Sequence, residues 1–106
     1  MKHWRARLDA CVGFDWDVWN AGKNWDLHQV TPEEAEEIFF HEPFLVAGNL
    51  RHSSGEKRYQ GLGSTSRGRK LFVSFAIRRQ LIRVVSVRDM NRREREQYER
   101  YEEAST

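Results

Sequence analysis

The sequence predicts an α+β fold, and two observations carry that expectation. Helix-start signals stand at Asp15 or Asp17 and at Thr31, ahead of residues spaced for helical faces, and a third stands at Asn91. Between Phe44 and Val87 the pattern changes to short alternating or continuous apolar runs separated by very short turns. Strands joined that tightly must run antiparallel. The expected order is an N-terminal strand, two helices, an antiparallel sheet and a C-terminal helix, in a chain of 106 residues that reads as one domain over its whole length.

Each element has its own signal. Leu8, Cys11, Val12 and Phe14 suggest a first strand over 7–14. Val18, Ala21, Gly22 and Trp25 then fall on one helical face. Thr31-Pro32-Glu33-Glu34 opens the second helix with a capping box and a proline at the first helical position. Ala35, Ile38 and Phe39 form its buried stripe, and Pro43 ends it. Residues 44–47 make a short strand, 51–55 a polar loop, and 56–62 an alternating strand with Glu56, Arg58, Gln60 and Leu62 on one side. The run 71–77 is nearly all apolar and reads as the central strand, joined through Arg78, Arg79 and Gln80 to a last strand over 81–87. Asn91 and Glu94 form a second capping box, and the stripe Met90, Glu94, Tyr98, Tyr101 is thin, which predicts light docking or completion by a partner.

Net charge is +2, but its distribution is uneven. Residues 1–56 sum to −5, residues 57–95 to +10 and the remainder to −3. An arginine-rich block in an otherwise acidic chain suits a polyanion such as nucleic acid, and equally a solvated face or an acidic protein partner. Cys11 is the single cysteine, read as core, so no internal disulfide is expected. The charged first seven residues and the lack of a long apolar stretch predict neither signal peptide nor membrane span, hence a cytoplasmic protein. No metal-ligand spacing, paired cysteines or glycine-rich phosphate loop stands out, and no cofactor is expected; Gly61-x-Gly63 is a weak match lying in a strand-like segment.

An ordered series of short motifs resembles the BrnT family. Phe14-Asp15-Trp16-Asp17 resembles its F-x-W-D opening, Asn24 and His28-Gln29-Val30 its asparagine and K-H-G-V motif, and residues 32–39 its second helix. His52-Ser53, Glu56, Arg58 and Tyr59 match H-S-x-x-E-x-R-Y. Leu62-Gly63, Gly68-Arg69, Leu71-Phe72-Val73, the run 82–90, Glu94-Arg95 and Tyr98 follow in register. The resemblance implies a RelE-like fold and a ribonuclease toxin that arrests translation by cutting RNA, messenger RNA free or at the ribosome. It also implies neutralisation by a BrnA-like ribbon-helix-helix antitoxin in a heterotetramer. Three positions depart from the family pattern: Leu27 replaces a lysine, Gln29 a glycine and Val87 a small residue. Gln29 stands where a left-handed backbone is expected, and the loss of a basic group at Leu27 keeps a non-catalytic interaction or RNA-binding module as the alternative.

Metal-independent cleavage needs a base for the 2′-hydroxyl, cations for the charged transition state and an acid for the departing 5′-oxygen. Arg58 and Arg83 are the leading phosphate holders, because a guanidinium fork matches phosphate oxygens and stays charged; ion pairing on the sheet surface is the competing role. Arg88 joins them only if the strand bulges, since strict alternation puts it opposite Arg83. Glu56 serves as base or as an anchor for Arg58. His28 and His52 titrate in the useful range, although a helix-end cap and a polar loop explain them as well. Tyr98 orients substrate or simply packs. Lys57, Arg67, Arg69 and Arg79 are candidate RNA-binding cations.

Overall fold

A computed structural model describes residues 7–50 and 58–105. Strand β1 (Gly13–Phe14) leads into helix α1 (Val18–His28) and helix α2 (Pro32–Glu37). Strands β2 (Leu45–Leu50), β3 (Arg58–Ser64), β4 (Lys70–Arg78) and β5 (Leu81–Asp89) follow, and helix α3 (Arg92–Ser105) closes the order. The architecture is α+β around a sheet of order β1-β5-β4-β3-β2.

The expected first strand shrinks to two residues, and residues 7–9 are helical instead. Its pairing also differs: β1 runs parallel to β5, Gly13 opposite Leu81 and Phe14 opposite Ile82, so the sheet is mixed. Short-turn logic governs β2 to β5 only; β1 reaches the far edge through two intervening helices and is free of that constraint. Helix α2 ends at Glu37, ahead of Pro43, in a turn over 38–40.

Both helix starts behave as their sequences dictate. The Asp17 side chain accepts from the Trp19 and Asn20 backbone N–H groups, and Asn20 Oδ1 accepts from Asp17 N. Thr31 and Glu34 form the reciprocal pair on α2. Gln29 closes α1 at φ 52°, the left-handed position expected of it.

One face of the sheet carries the main core. Tyr59, Val73, Phe75, Ile77, Ile82 and Val84 pack against Val30, Ala35 and Ile38 of the helical layer. Cys11 is half-buried against this cluster. The glycines 61 and 63 serve packing: a Cβ on Gly61 would stand 2.6 Å from Phe44 Cζ, and one on Gly63 3.0 Å from Ile38 Cβ. Close approach of neighbouring groups accounts for both.

The other face is divided. At one end α3 docks through Tyr98, fully buried with Leu62 and Met90 and flanked by Phe72 and Leu45. The Tyr98 hydroxyl donates to the Pro43 carbonyl at 2.6 Å, and burial raises its pKa above the ordinary phenol value. The opposite end of that face, bordered by the start of α1, carries the cations described next.

Candidate nucleic-acid interface

The register of β5 decides which arginines share a face. Ser74 pairs with Ser86 but Phe75 pairs with Val84, so Val85 is an extra residue in β5. This bulge lets Ile82, Val84 and Val87 all point into the core. It equally puts Arg83 and Arg88 on the same outer face, opposite Ala76 and Phe72 of β4. Those partners are four positions apart in β4, or roughly 13 Å along the strand, and the two arginines do different things.

Arg83 sits in a row with Ala76, its cross-strand partner, and with Arg58, which precedes Tyr59 and so flanks the same alanine. Ala76 is completely buried beneath its neighbours. Arg78, at the end of β4, and Lys23, from the middle of α1, complete a cleft of about 400 Å³ lined also by Trp19, Asn20 and Val85. Four cationic side chains therefore line one concavity. Arg58 Nε is buried with no hydrogen-bond partner among the described residues, which leaves a desolvated donor beside the cleft.

Arg83 is held from the side by two carboxylates. Its Nη2 lies 2.9 Å from Asp17 Oδ2 and its Nη1 3.5 Å from Asp15 Oδ1. Asp17 is the α1 cap, so one carboxylate ties the helix start to the arginine. The Asn20 N–H, opposed by burial and aided by Arg83 and the Trp19 N–H, keeps the Asp17 carboxyl below the usual carboxylate range. A guanidinium has five N–H donors, so these contacts orient Arg83 without exhausting it.

Helix α1 lies against the edge of β5 through two asparagines. Beyond β1, Asn20 Nδ2 donates to the Val84 carbonyl at 2.9 Å and Asn24 Oδ1 accepts from Val87 N at 2.9 Å. Both asparagines are buried, and they take the place of the strand that β1 is too short to supply. That anchoring places Trp19 and Lys23 at the cleft rim.

The matching region is large. A model of the family described as the ribonuclease toxin BrnT of type II toxin–antitoxin systems matches residues 16–94. The chain belongs to the BrnT family. A search of curated proteins finds no match. Membership in a family of toxin–antitoxin ribonucleases brings with it an RNA substrate and a protein antitoxin. The cationic cleft of this BrnT chain is built from residues inside that match, Lys23, Arg58, Arg78 and Arg83 included.

Other nominated residues lie elsewhere. Arg88 gives Nη1 and Nη2 to the two oxygens of Glu94, at 2.9 and 3.1 Å, and lies over the Phe72 ring. Burial opposes ionisation of Glu94, but Arg88 and the Asn91 N–H outweigh it and lower its pKa. Arg69 bonds Asp89 and Glu34 and donates to the carbonyls of His28 and Gln29, so it closes the α1 C-terminus. His28 is that terminal residue, away from the arginine cleft. Tyr98 is interior to the α3 contact. Arg67 lies with Glu33, Glu34 and Glu37, and Arg79 occupies the β4–β5 turn at φ 51°. His52, Glu56 and Lys57 fall outside the described residues.

Lys23, Arg78 and Trp19 line the cleft and Asp17 holds Arg83, and the sequence alone did not mark these as site residues. Arg78 had a usable signal: it continues the alternation Phe72, Ser74, Ala76 and is one two-residue turn from β5. Lys23 had a weaker one, a lone cation four residues after Trp19 on the same helix.

Proposed function

We propose that this chain is a metal-independent endoribonuclease that binds the scissile phosphodiester of RNA between Arg58 and Arg83. The carrying observation is the convergence of Lys23, Arg58, Arg78 and Arg83 on one cleft. In such cleavage the 2′-oxygen attacks the adjacent phosphorus and the P–O5′ bond breaks, leaving a 2′,3′-cyclic phosphate and a 5′-hydroxyl. Extra negative charge builds on the non-bridging oxygens, and fixed guanidinium groups meet it without reorganisation. Asp15 and Asp17 act as positioning residues for Arg83. His52 and Glu56, close in sequence before Arg58, are the proposed proton-transfer groups.

The full chain, 1–106, acts as one RelE-like toxin domain in the cytoplasm in this reading, halting translation by cutting messenger RNA. Its partner is a BrnA-like ribbon-helix-helix antitoxin in a heterotetramer. Incubating the purified protein with RNA in EDTA tests the chemistry. Cleavage with cyclic-phosphate ends, lost in Arg83→Ala and suppressed by a ribbon-helix-helix partner, is the expected result. RNA binding with no cleavage by the wild type would leave a non-catalytic module.

A further inference from the structure

We propose that Trp19 is a stacking platform for an unpaired base of the RNA strand whose phosphate the cleft holds. The inference rests on the ribonuclease reading and adds to it a specificity-determining contact and a preference for single strands.

Trp19 is 78% exposed, unusual for a side chain whose large ring normally gains by burial. Other exposed apolar groups, such as Val12 and Phe40, lie away from the basic cleft; Trp19 lines it together with Lys23, Arg58, Arg78 and Arg83. It is the one aromatic ring doing so among the described residues. Its backbone is fixed, because its N–H donates to Asp17 Oδ1 at 2.9 Å and the same carboxylate pairs with Arg83. The indole and the leading phosphate holder therefore share one anchor. An exposed ring beside clustered cations is the arrangement that grips single-stranded nucleic acid, cations tracking phosphates and the ring taking a base face. The charge of the cleft favours this occupant over an apolar protein segment, which would leave four cations desolvated. A duplex keeps its bases stacked inside and cannot offer one to the ring.

The test uses a single-stranded oligoribonucleotide with every 2′-hydroxyl methylated, which blocks attack and leaves binding measurable. The same strand annealed to its complement and a series of copies carrying one abasic site serve as companions. Trp19→Ala and Trp19→Leu should each weaken single-strand binding about ten-fold, and Trp19→Phe much less. One abasic copy should bind the wild type as weakly as Trp19→Ala binds the intact strand, with no further loss when the two are combined. Duplex binding should be the same for all four proteins. The exposure of Trp19 predicts unchanged melting temperatures, which guards against misfolding as the cause.

Single-strand affinity retained in Trp19→Ala, with Arg58→Ala and Arg83→Ala both weakened, would overturn the platform and leave the phosphate cleft standing. Wild-type affinity in the two arginine variants would overturn the cleft and the platform together. A Trp19→Ala protein that keeps RNA but loses its antitoxin would assign the ring to a protein interface and end the proposal.

Discussion

At one end of the outer sheet face, Arg88 is clamped by Glu94 over Phe72, and Lys70 is paired with Glu99 and Glu102 of α3. At the other end Arg58 keeps a buried Nε with no hydrogen-bond partner among the described residues, and its cleft is shared by Lys23, Arg78 and Arg83. All but Lys23 come from the same basic stretch of sequence. The difference is supplied by what packs above the sheet. Helix α3 brings glutamates down onto its end and converts those cations into fastenings. The two aspartates at the open end pair with Arg83 from the side, and neither lines the cleft, whose charged lining is Lys23, Arg58, Arg78 and Arg83. Positive charge in a sequence is thus a poor guide to a binding site until the carboxylates that meet it are known.

The sharpest way to break this comparison is to remove one arginine from each end. Arg83→Ala should lower kcat/KM for RNA cleavage by about a hundred-fold or more, the scale for losing one preorganised transition-state contact. Arg88→Ala should leave cleavage within a few-fold while lowering the melting temperature, since Glu94 loses its partner and Phe72 its cover. Equal loss of cleavage in both variants would mean that the two ends form one site.

Asn24 joins the two ends, because α1 spans from the cleft to the Arg69 network. Asn24→Ala leaves the Val87 N–H buried without an acceptor, which costs about 1–3 kcal/mol. Denaturant unfolding should show that loss, and cleavage per folded molecule should fall as Lys23 and Trp19 lose their support. Asn24→Asp keeps an acceptor and should recover part of the stability. A destabilised Asn24→Ala protein with full specific activity would show that the cleft does not depend on α1.

The distinction between the ends was only partly legible in the sequence. Capping boxes at Thr31 and Asn91, the left-handed Gln29 and the apolar run of β4 were readable because each is decided by neighbours in the chain. Arg58 and Arg83 were readable as outward cations on strands. The company they keep was not. That Glu94 would meet Arg88, or Asp17 meet Arg83, depends on how α3 and α1 pack. The β5 bulge was needed to place Arg83 and Arg88 on one face, and alternation alone cannot locate a bulge. Arg69 illustrates the limit: in sequence it is a candidate RNA-binding cation, whereas its guanidinium reaches back to residues about forty positions earlier.

Arg69→Ala sharpens the description of the fastened end. It removes the contacts to Asp89, Glu34 and two helix-end carbonyls, all partly exposed, and should cost about 1–2 kcal/mol with cleavage per folded molecule unchanged. The cost should depend on acid. Hydrogen bonding from Arg69 outweighs burial and holds the Asp89 carboxyl below its ordinary 3.8. A depressed folded-state pKa gives stability that is present above the unfolded value and lost as pH falls through the folded one. The gap between wild type and Arg69→Ala should therefore be full near neutrality and narrow below about pH 4. A gap that is constant from pH 7 to pH 3 would assign the effect to the carbonyl contacts alone.

The smallest expected effect also lies at the fastened end. Gln29 holds φ 52° at the α1 C-cap, where a Cβ is unfavourable and glycine is free. Gln29→Gly relieves that strain, worth about 1 kcal/mol. It gives up two long side-chain contacts, Gln29 Nε2 to the Trp25 and Asp26 carbonyls at 3.4 and 3.5 Å, which contribute little at that length. The backbone donors to Asn24 and Trp25 and the carbonyl that accepts from Arg69 remain in place. The variant should unfold at slightly higher denaturant and cleave RNA at the wild-type rate, because the cleft lies at the other end of the helix. A drop in stability would mean that the Gln29 side chain contributes more than its geometry allows. A change in cleavage would mean that the α1 C-terminus and the arginine cleft are coupled, and that the two ends of the molecule are less separate than their ion pairs suggest.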